Sequence, residues 1–230
     1  MLSQTSIDWF PLWLSLRVAA LATLFVITVG TFCAYLLSHK NFRGKDLIDS
    51  LITLPLVLPP TVLGYYLLVV IGRASPVGHL YESVTGSPLV FTWQAAVIAA
   101  IIHSAPIYIK AARAVLESVD YRFEWAARSL GASEWRTFWS VTLPLARRGL
   151  TSLGTLAFAR SLGDFGVTIM VAGNIAGRTQ TLSVAIYDAV ESGNGHVARV
   201  LVLVVSAGAL CLLWAASFLS RGSRLGTAAG

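Results

Sequence analysis

Two ionisable side chains inside an apolar stretch, Arg160 and Asp164, are the first candidates for chemistry in this sequence. They are four residues apart, so on an α-helix they would share one face about one turn apart. Either charge facing lipid would cost roughly 3 kcal/mol, which predicts that both point into a helix bundle. We favour an ion pair between them, because pairing offsets much of that cost. The alternative is a contribution to the path of an anion.

Three prolines, Pro55, Pro59 and Pro60, interrupt a second apolar stretch. Proline removes a backbone donor and disfavours the helix interior, so the freed carbonyl groups need partners from neighbouring helices or water. A helix interrupted in this way can line a pathway through the protein, or it can simply be kinked. Both interpretations stay open for Pro59 and Pro60.

Motifs of hydrolysis, metal binding and nucleotide binding are missing from the sequence. His103 and Ser104 are adjacent, but neighbouring residues of a helix point about 100° apart and cannot form a nucleophile–base pair. No Gly-x-Ser-x-Gly, His-Glu-x-x-His or Walker A pattern occurs. We therefore expect no catalytic residue, no metal and no cofactor bound by this chain.

The composition indicates an all-α integral membrane protein. Of 230 residues, 56% are hydrophobic and 12% are charged, against about 25% charged residues in soluble domains. The apolar runs reach the roughly 20 residues that cross a bilayer core. Little chain remains for a self-contained ATPase or nucleotide-binding domain. Five spans are predicted, over residues 12–37, 51–71, 89–109, 149–173 and 197–219.

The formal net charge of +6 arises from cations that lie between the apolar runs, so we expect no nucleic-acid partner. The first link, the third link and the C-terminal tail carry most of the Lys and Arg residues. The positive-inside rule therefore places the N-terminus outside and the C-terminus in the cytoplasm. We expect residues 1–230 to form a single transmembrane domain.

The longest cytoplasmic link, at about residues 117–144, is predicted to fold as helix, turn and helix. Apolar residues recur at steps of three and four in its first half, which indicates one apolar stripe lying against the membrane. Asp120 and Ser133 are suited to cap the two helices, and Gly131 to end the first in a left-handed conformation. Pro144 is expected to end the second helix.

Small residues distinguish this link from a helix that merely lies at the membrane interface. Ala126, Ala127 and Gly131 stand between bulky neighbours, where they would allow another surface to approach closely. This pattern favours a docking site for a partner over a plain amphipathic helix.

The same link carries a motif. It reads Glu124-Trp-Ala126-Ala127, three residues, Gly131, nine residues, and Val141-x-Leu143-Pro144. The motif resembles the EAA loop of the membrane subunits of bacterial ABC importers, which reads EAA, three residues, Gly, nine residues and Ile-x-Leu-Pro. Here the glutamate stands one place early, Trp125 occupies its usual position, and valine replaces isoleucine.

The resemblance extends along nearly the whole chain to the molybdate importer permeases with five spans per subunit. It is carried by three segments, Phe42-Arg-Gly-Lys45, Leu54-Pro-Leu-Val-Leu-Pro-Pro60 and Phe158-Ala-Arg-Ser-Leu-Gly-Asp-Phe-Gly166. The last segment usually has glutamate where this chain has Asp164. Sulfate and thiosulfate permeases share much of the pattern but are typically longer, with an added span.

What the resemblance implies is a coupling loop. Glu124 and Arg128 would make polar contacts with an ATP-binding cassette subunit, Ala126 and Ala127 would permit close approach, and Gly131 would form the turn. Leu143 and Pro144 complete the motif. ATP and Mg would be used by the cassette, not by this chain.

The implied assembly contains a second copy of the chain, two ATP-binding cassette subunits and an extracytoplasmic molybdate-binding protein, in the lipid of the bacterial inner membrane. The implied function is import of molybdate and of tungstate, a nearly identical dianion. Two alternatives stay open at this point: a sulfate or thiosulfate permease, and a membrane scaffold subunit without transport. An intramembrane enzyme is disfavoured, because no catalytic motif occurs in the sequence.

Overall fold

The computed structural model describes residues 7–40 and 42–221, and for 215–221 the backbone alone. Every regular element in this part of the chain is helical. Eleven α-helices and one π-helical segment follow in the order α1 (Phe10–His39), α2 (Lys45–Val57), α3 (Pro60–Ile71), α4 (Pro76–Thr85), α5 (Trp93–Glu117), α6 (Tyr121–Ser129), α7 (Glu134–Thr137), the π segment (Phe138–Thr142), α8 (Leu143–Leu162), α9 (Gly166–Ala172), α10 (Leu182–Glu191) and α11 (Gly195–Arg221).

Three of these helices, α1, α5 and α11, are each long and apolar enough to cross a membrane. Two further candidates are broken. Helices α2 and α3 meet at a bend of 118°, and the helical run from residue 134 to residue 162 meets α9 at 58°. The described chain therefore has three candidate spans, or five if each bent pair counts as one. Two of the five predicted runs, 51–71 and 149–173, are not continuous helices.

The prolines account for the first break. Leu58 and Pro59 are extended, with ψ angles of 139° and 143°, and Pro60 is the first residue of α3. A residue before proline is disfavoured in the helical region, which ends α2 at Val57. Pro55 stays inside α2.

The bundle is built on α1, which packs against α5 and α8. Small residues allow this approach, since Ala19, Ala22 and Ala34 of α1 are all fully buried. Deep in this contact the Thr31 hydroxyl and the Tyr108 hydroxyl lie 2.7 Å apart. A buried hydroxyl pair of this kind satisfies both polar groups and fixes the rotation of α1 relative to α5.

The loop folds as the sequence predicts up to its second helix. The Asp120 side chain accepts a hydrogen bond from the Arg122 amide, and the Ser133 hydroxyl accepts one from the Arg136 amide. Gly131 has a φ of +84° and its amide donates to the carbonyl of Arg128. These contacts confirm the two caps and the left-handed turn.

The predicted helix end at Pro144 is wrong, because the helix continues through it. The segment Phe138–Thr142 is π-helical, and the Leu143 amide donates to the carbonyl of Phe138, five residues back. Proline has no N–H group to donate within a helix, and a π turn just before it allows the helix to continue despite the missing hydrogen bond. Consequently α7, the π segment and α8 form one continuous helical run that connects the loop directly to the helix bundle.

Candidate functional site

A buried carboxylate, that of Glu124, lies at the centre of the loop. Its Oε1 accepts a hydrogen bond of 2.6 Å from the Thr142 hydroxyl and lies 3.0 Å from His39 Nε2. Its Oε2 accepts a bond of 3.2 Å from the Arg128 guanidinium. Glu124 is 7% exposed, so the cost of burying its charge is offset by these three partners.

The end of α1 holds both loop helices in place. His39 Nδ1 lies 2.6 Å from the Ser38 hydroxyl, and its ring stacks on Tyr35 with centroids 4.5 Å apart. One residue further, the Lys40 ammonium pairs with the Glu134 carboxylate of α7. This hydrogen bond and charge lower the pKa of Glu134 below its ordinary value. His39 thus fixes α6 and Lys40 fixes α7.

The position of Glu124 differs from the expected contact with a cassette subunit. The carboxylate faces the chain's own bundle, because the histidine and threonine that satisfy it lie on α1 and the π segment. Two residues of the expected apolar stripe, Phe123 and Leu130, are exposed on the surface of the described chain. The side chains of α6 and its end that face outward are mainly aromatic and aliphatic: Tyr121, Phe123, Trp125 and Leu130, at 65%, 56%, 68% and 90% exposure.

The other motif residues surround this outward face. Ala126 is exposed and Ala127 is half-buried, Arg128 is partly exposed beside Glu124, and Gly131 forms the turn that ends α6. Leu143 and Pro144 lie apart from this group, at the start of α8. The motif residues therefore form two groups, one on α6 and its turn and one at the start of α8. The hydrogen bond from Thr142 to Glu124 connects the two groups.

Inside the bundle, the expected ion pair between Arg160 and Asp164 does not form among the described residues. Helix α8 ends at Leu162, so the two residues no longer share a helical face. Asp164, 4% exposed, accepts a hydrogen bond of 2.6 Å from the Thr168 hydroxyl. Its other oxygen lies 4.0 Å from His103 Nδ1. Arg160 donates to the carbonyl of His103 at 3.3 Å.

The two breaks lie against each other. A Cβ added to Gly166, the first residue of α9, would lie only 2.5 Å from the Pro60 side chain. Glycine is therefore required for this close approach of the starts of α3 and α9. Pro59, Pro60 and Asp164 thus belong to one region, with His103 beside it. Interrupted helices that meet inside a membrane protein are typical of sites where a substrate passes.

Sequence reasoning missed His103 and Thr168 as partners of Asp164. An ionisable residue in an apolar run was the available signal for His103, which was considered only as a possible catalytic base. Among residues 7–40 and 42–221, no three His, Cys, Asp or Glu side chains are grouped so that they could hold a metal ion.

A helical bundle with interrupted spans and a two-helix loop is the architecture of an ABC importer permease. The structure is similar to a subunit of a solved bacterial alginate ABC transporter in complex with an alginate-bound periplasmic protein. The TM-score is 0.72 at 16% identity, over 99% of this chain and 82% of that one. This likeness shows the fold.

The chain belongs to the family of binding-protein-dependent transport system inner membrane components, whose family model matches residues 26–224. It is therefore an inner-membrane protein. It is 43% identical over 222 residues to the molybdenum transport system permease protein ModB of Escherichia coli (strain K12), covering 96% of each chain. It is 35% identical to the probable sulfate transport system permease protein cysT of Chlorokybus atmophyticus, over 92% of this chain and 73% of that relative.

Proposed function

We propose that this chain is the membrane subunit of an ATP-driven importer of molybdate, and of tungstate as a nearly identical dianion. The observation that carries the proposal is the 43% identity to a molybdenum permease over 96% of both chains. Identity of this extent over matching lengths favours the same substrate class more strongly than the partial match to a sulfate permease.

The outward face of α6 is proposed to dock on a separate ATP-binding cassette subunit, which binds and hydrolyses ATP with Mg. The exposed Phe123, Trp125 and Leu130 support this, because aromatic and aliphatic side chains with this exposure need a partner surface. Ala126 and Ala127 leave room for close approach. Glu124 acts here as a positioning residue that holds α6 on the bundle.

Motion of the cassettes would reach the membrane through the loop. The continuous run from α7 through the π segment to α8 is suited to transmit a displacement without bending. His39 and Lys40 tie the same loop to α1. A push on α6 would therefore move α1 and α8 together, as in a rocking transition between two packed states.

For the assembly we propose two copies of the chain, each a single transmembrane domain with five spans, counting each bent pair as one. The N-terminus lies outside and the C-terminus in the cytoplasm, in line with the cations of the loops. Two cassettes and an extracytoplasmic molybdate-binding protein complete the complex. The alginate transporter, solved with its periplasmic protein, supports a binding protein.

The anion is proposed to pass close to the meeting point of the two breaks. Pro59 and Pro60 line this region, Asp164 is held by Thr168, and Arg160 is half-buried nearby. Arg160 is engaged through one bond to a backbone carbonyl, which leaves guanidinium donors for passing negative charge. Selectivity is expected to lie mainly in the binding protein.

Sulfate import is the second candidate function, supported by the 35% identity to a sulfate permease. Uptake of radiolabelled molybdate by cells with and without this chain separates the two, with excess tungstate or excess sulfate as competitor. Molybdate import predicts uptake that needs the chain, resists sulfate and is suppressed by tungstate. Suppression by sulfate would move the assignment to a broader oxyanion importer, and uptake independent of the chain would refute both.

A further inference from the structure

A long apolar groove lies between α1, α8 and α11, on the outside of the bundle. Its volume is about 940 Å³, at the upper end of the roughly 300–1,000 Å³ of ligand pockets. Ile27, Phe158 and Leu212 contribute its walls, and Phe138 of the π segment lies at its end near the loop. It includes none of the motif residues of α6 and none of the residues at the two breaks.

The part of the groove beyond Arg147 matches one leaflet of a bilayer in length. Along α8 the lining begins at Leu143 on the side of the loop, and its part from Arg147 to Phe158 is about 16 Å long at 1.5 Å per residue. Half of a hydrocarbon core is about 15 Å. With Arg147 at the membrane surface on the side of the loop, the groove would reach to about the bilayer midplane.

The end of the groove near the loop has the chemistry of a headgroup site. Trp135 and Trp139 line it and are about half exposed, and indole rings favour the membrane–water interface. Among the lining side chains that the structure describes, Arg147 is the one that carries a charge. Within the part of the chain that the structure describes, its guanidinium forms no ion pair, so its donors are available to a phosphate.

We propose that this groove binds an anionic phospholipid, with the phosphate on Arg147 and an acyl chain lying along α8 towards Phe158. This proposal rests on the proposed function in one respect, the leaflet from which the lipid comes. A cytoplasmic loop places the lipid in the cytoplasmic leaflet. An apolar helix from a second copy fits less well, because it would leave the guanidinium without a partner of opposite charge.

A bound lipid would join the three helices that form the groove. Helix α11 is mostly exposed along its length, with only 11% of its candidate span buried inside the chain. A lipid between α11 and the α1–α8 pair adds apolar contact where the protein itself provides little. The groove end at Trp135 and Phe138 also touches the segment that connects the loop to α8, so lipid occupancy bears on the region proposed for coupling.

The test is native mass spectrometry of the purified full chain, titrated with phosphatidylglycerol or with phosphatidylcholine of the same acyl chains. Arg147→Gln removes the charge from the groove, and Arg148→Gln removes the neighbouring charge outside it. Thr151→Trp fills the groove from an exposed lining position, and Leu156→Trp adds the same ring at an exposed position outside it.

We expect one phosphatidylglycerol per chain, bound more tightly than phosphatidylcholine. Arg147→Gln should weaken it about tenfold, the effect of losing one charge-assisted bond, whereas Arg148→Gln should not. Thr151→Trp should weaken both lipids, and Leu156→Trp neither. Equal effects of the two arginine variants would overturn the proposal, as would loss of a dimer rather than of lipid in Thr151→Trp. Molybdate uptake is measured separately, so failure of the lipid site leaves the transport assignment standing.

Discussion

Removing the Glu124 carboxylate should release α6 from the bundle. In Glu124→Ala, the Thr142 hydroxyl, 1% exposed, loses its acceptor, and an unsatisfied buried hydroxyl costs about 1–3 kcal/mol. The side chain of His39 is 19% exposed and loses a second contact, worth about 1 kcal/mol. Arg128, with its side chain 40% exposed, is solvated in either case and adds little. Together these losses make opening of α6 easier by about 2–4 kcal/mol.

Hydrogen–deuterium exchange of the α6 amides in lipid nanodiscs measures that opening directly. A change of 2–4 kcal/mol corresponds to exchange that is about 30- to 800-fold faster. Arg128→Ala is the matched control, because it removes only the solvated arm of the same network. For this variant we expect less than about a fivefold change, the equivalent of about 1 kcal/mol.

The reasoning is refuted if Glu124→Ala leaves the exchange of α6 unchanged, or if Arg128→Ala accelerates it as much. The first result would mean that contacts other than the carboxylate hold α6. The second would mean that the exposed pair, and not the buried hydroxyl and imidazole, supplies the energy.

Three further predictions concern the turn, the loop ion pair and the meeting of the two breaks. Gly131→Pro should uncouple ATP hydrolysis from uptake without preventing membrane insertion, because proline cannot donate the hydrogen bond from residue 131 to the Arg128 carbonyl and cannot adopt the positive φ; normal uptake would contradict this. Lys40→Met should raise the lowered pKa of Glu134 towards its ordinary value in a carboxyl NMR titration, because the hydrogen bond and charge of Lys40 are its largest causes. The contribution of the Lys40–Glu134 pair to stability is therefore present at neutral pH and is lost as the pH falls through the lowered pKa of Glu134. An unchanged titration of Glu134 in Lys40→Met would contradict this. Gly166→Leu should destabilise the chain by about 1–3 kcal/mol, seen as a lower melting temperature in detergent, because its side chain meets Pro60; an unchanged melting temperature would show that α3 and α9 can separate freely.

Local sequence signals predicted the loop well. The caps at Asp120 and Ser133 and the left-handed Gly131 depend on contacts within a few residues of the chain, so residue type and spacing are sufficient to find them. The break before Pro60 follows from an equally local steric rule.

Predictions failed where the contact of a side chain depends on a partner distant in the sequence or on where a helix ends. Glu124 was expected to face a cassette, but its partners His39 and Thr142 lie 85 and 18 residues away, and no spacing rule connects them. The Arg160–Asp164 pair was derived from an unbroken helix, whereas α8 ends at Leu162. Polar residues are thus located by the sequence, but their partners are set by tertiary packing.

The measurement that tests the central claim most directly is molybdate accumulation per ATP hydrolysed. It uses proteoliposomes that contain this chain, two cassette subunits and the molybdate-binding protein. A coupled permease predicts accumulation that requires ATP and stops in Gly131→Pro while hydrolysis continues. Hydrolysis by the intact complex without any accumulation of molybdate would contradict the assignment of this chain as the membrane subunit of a molybdate importer.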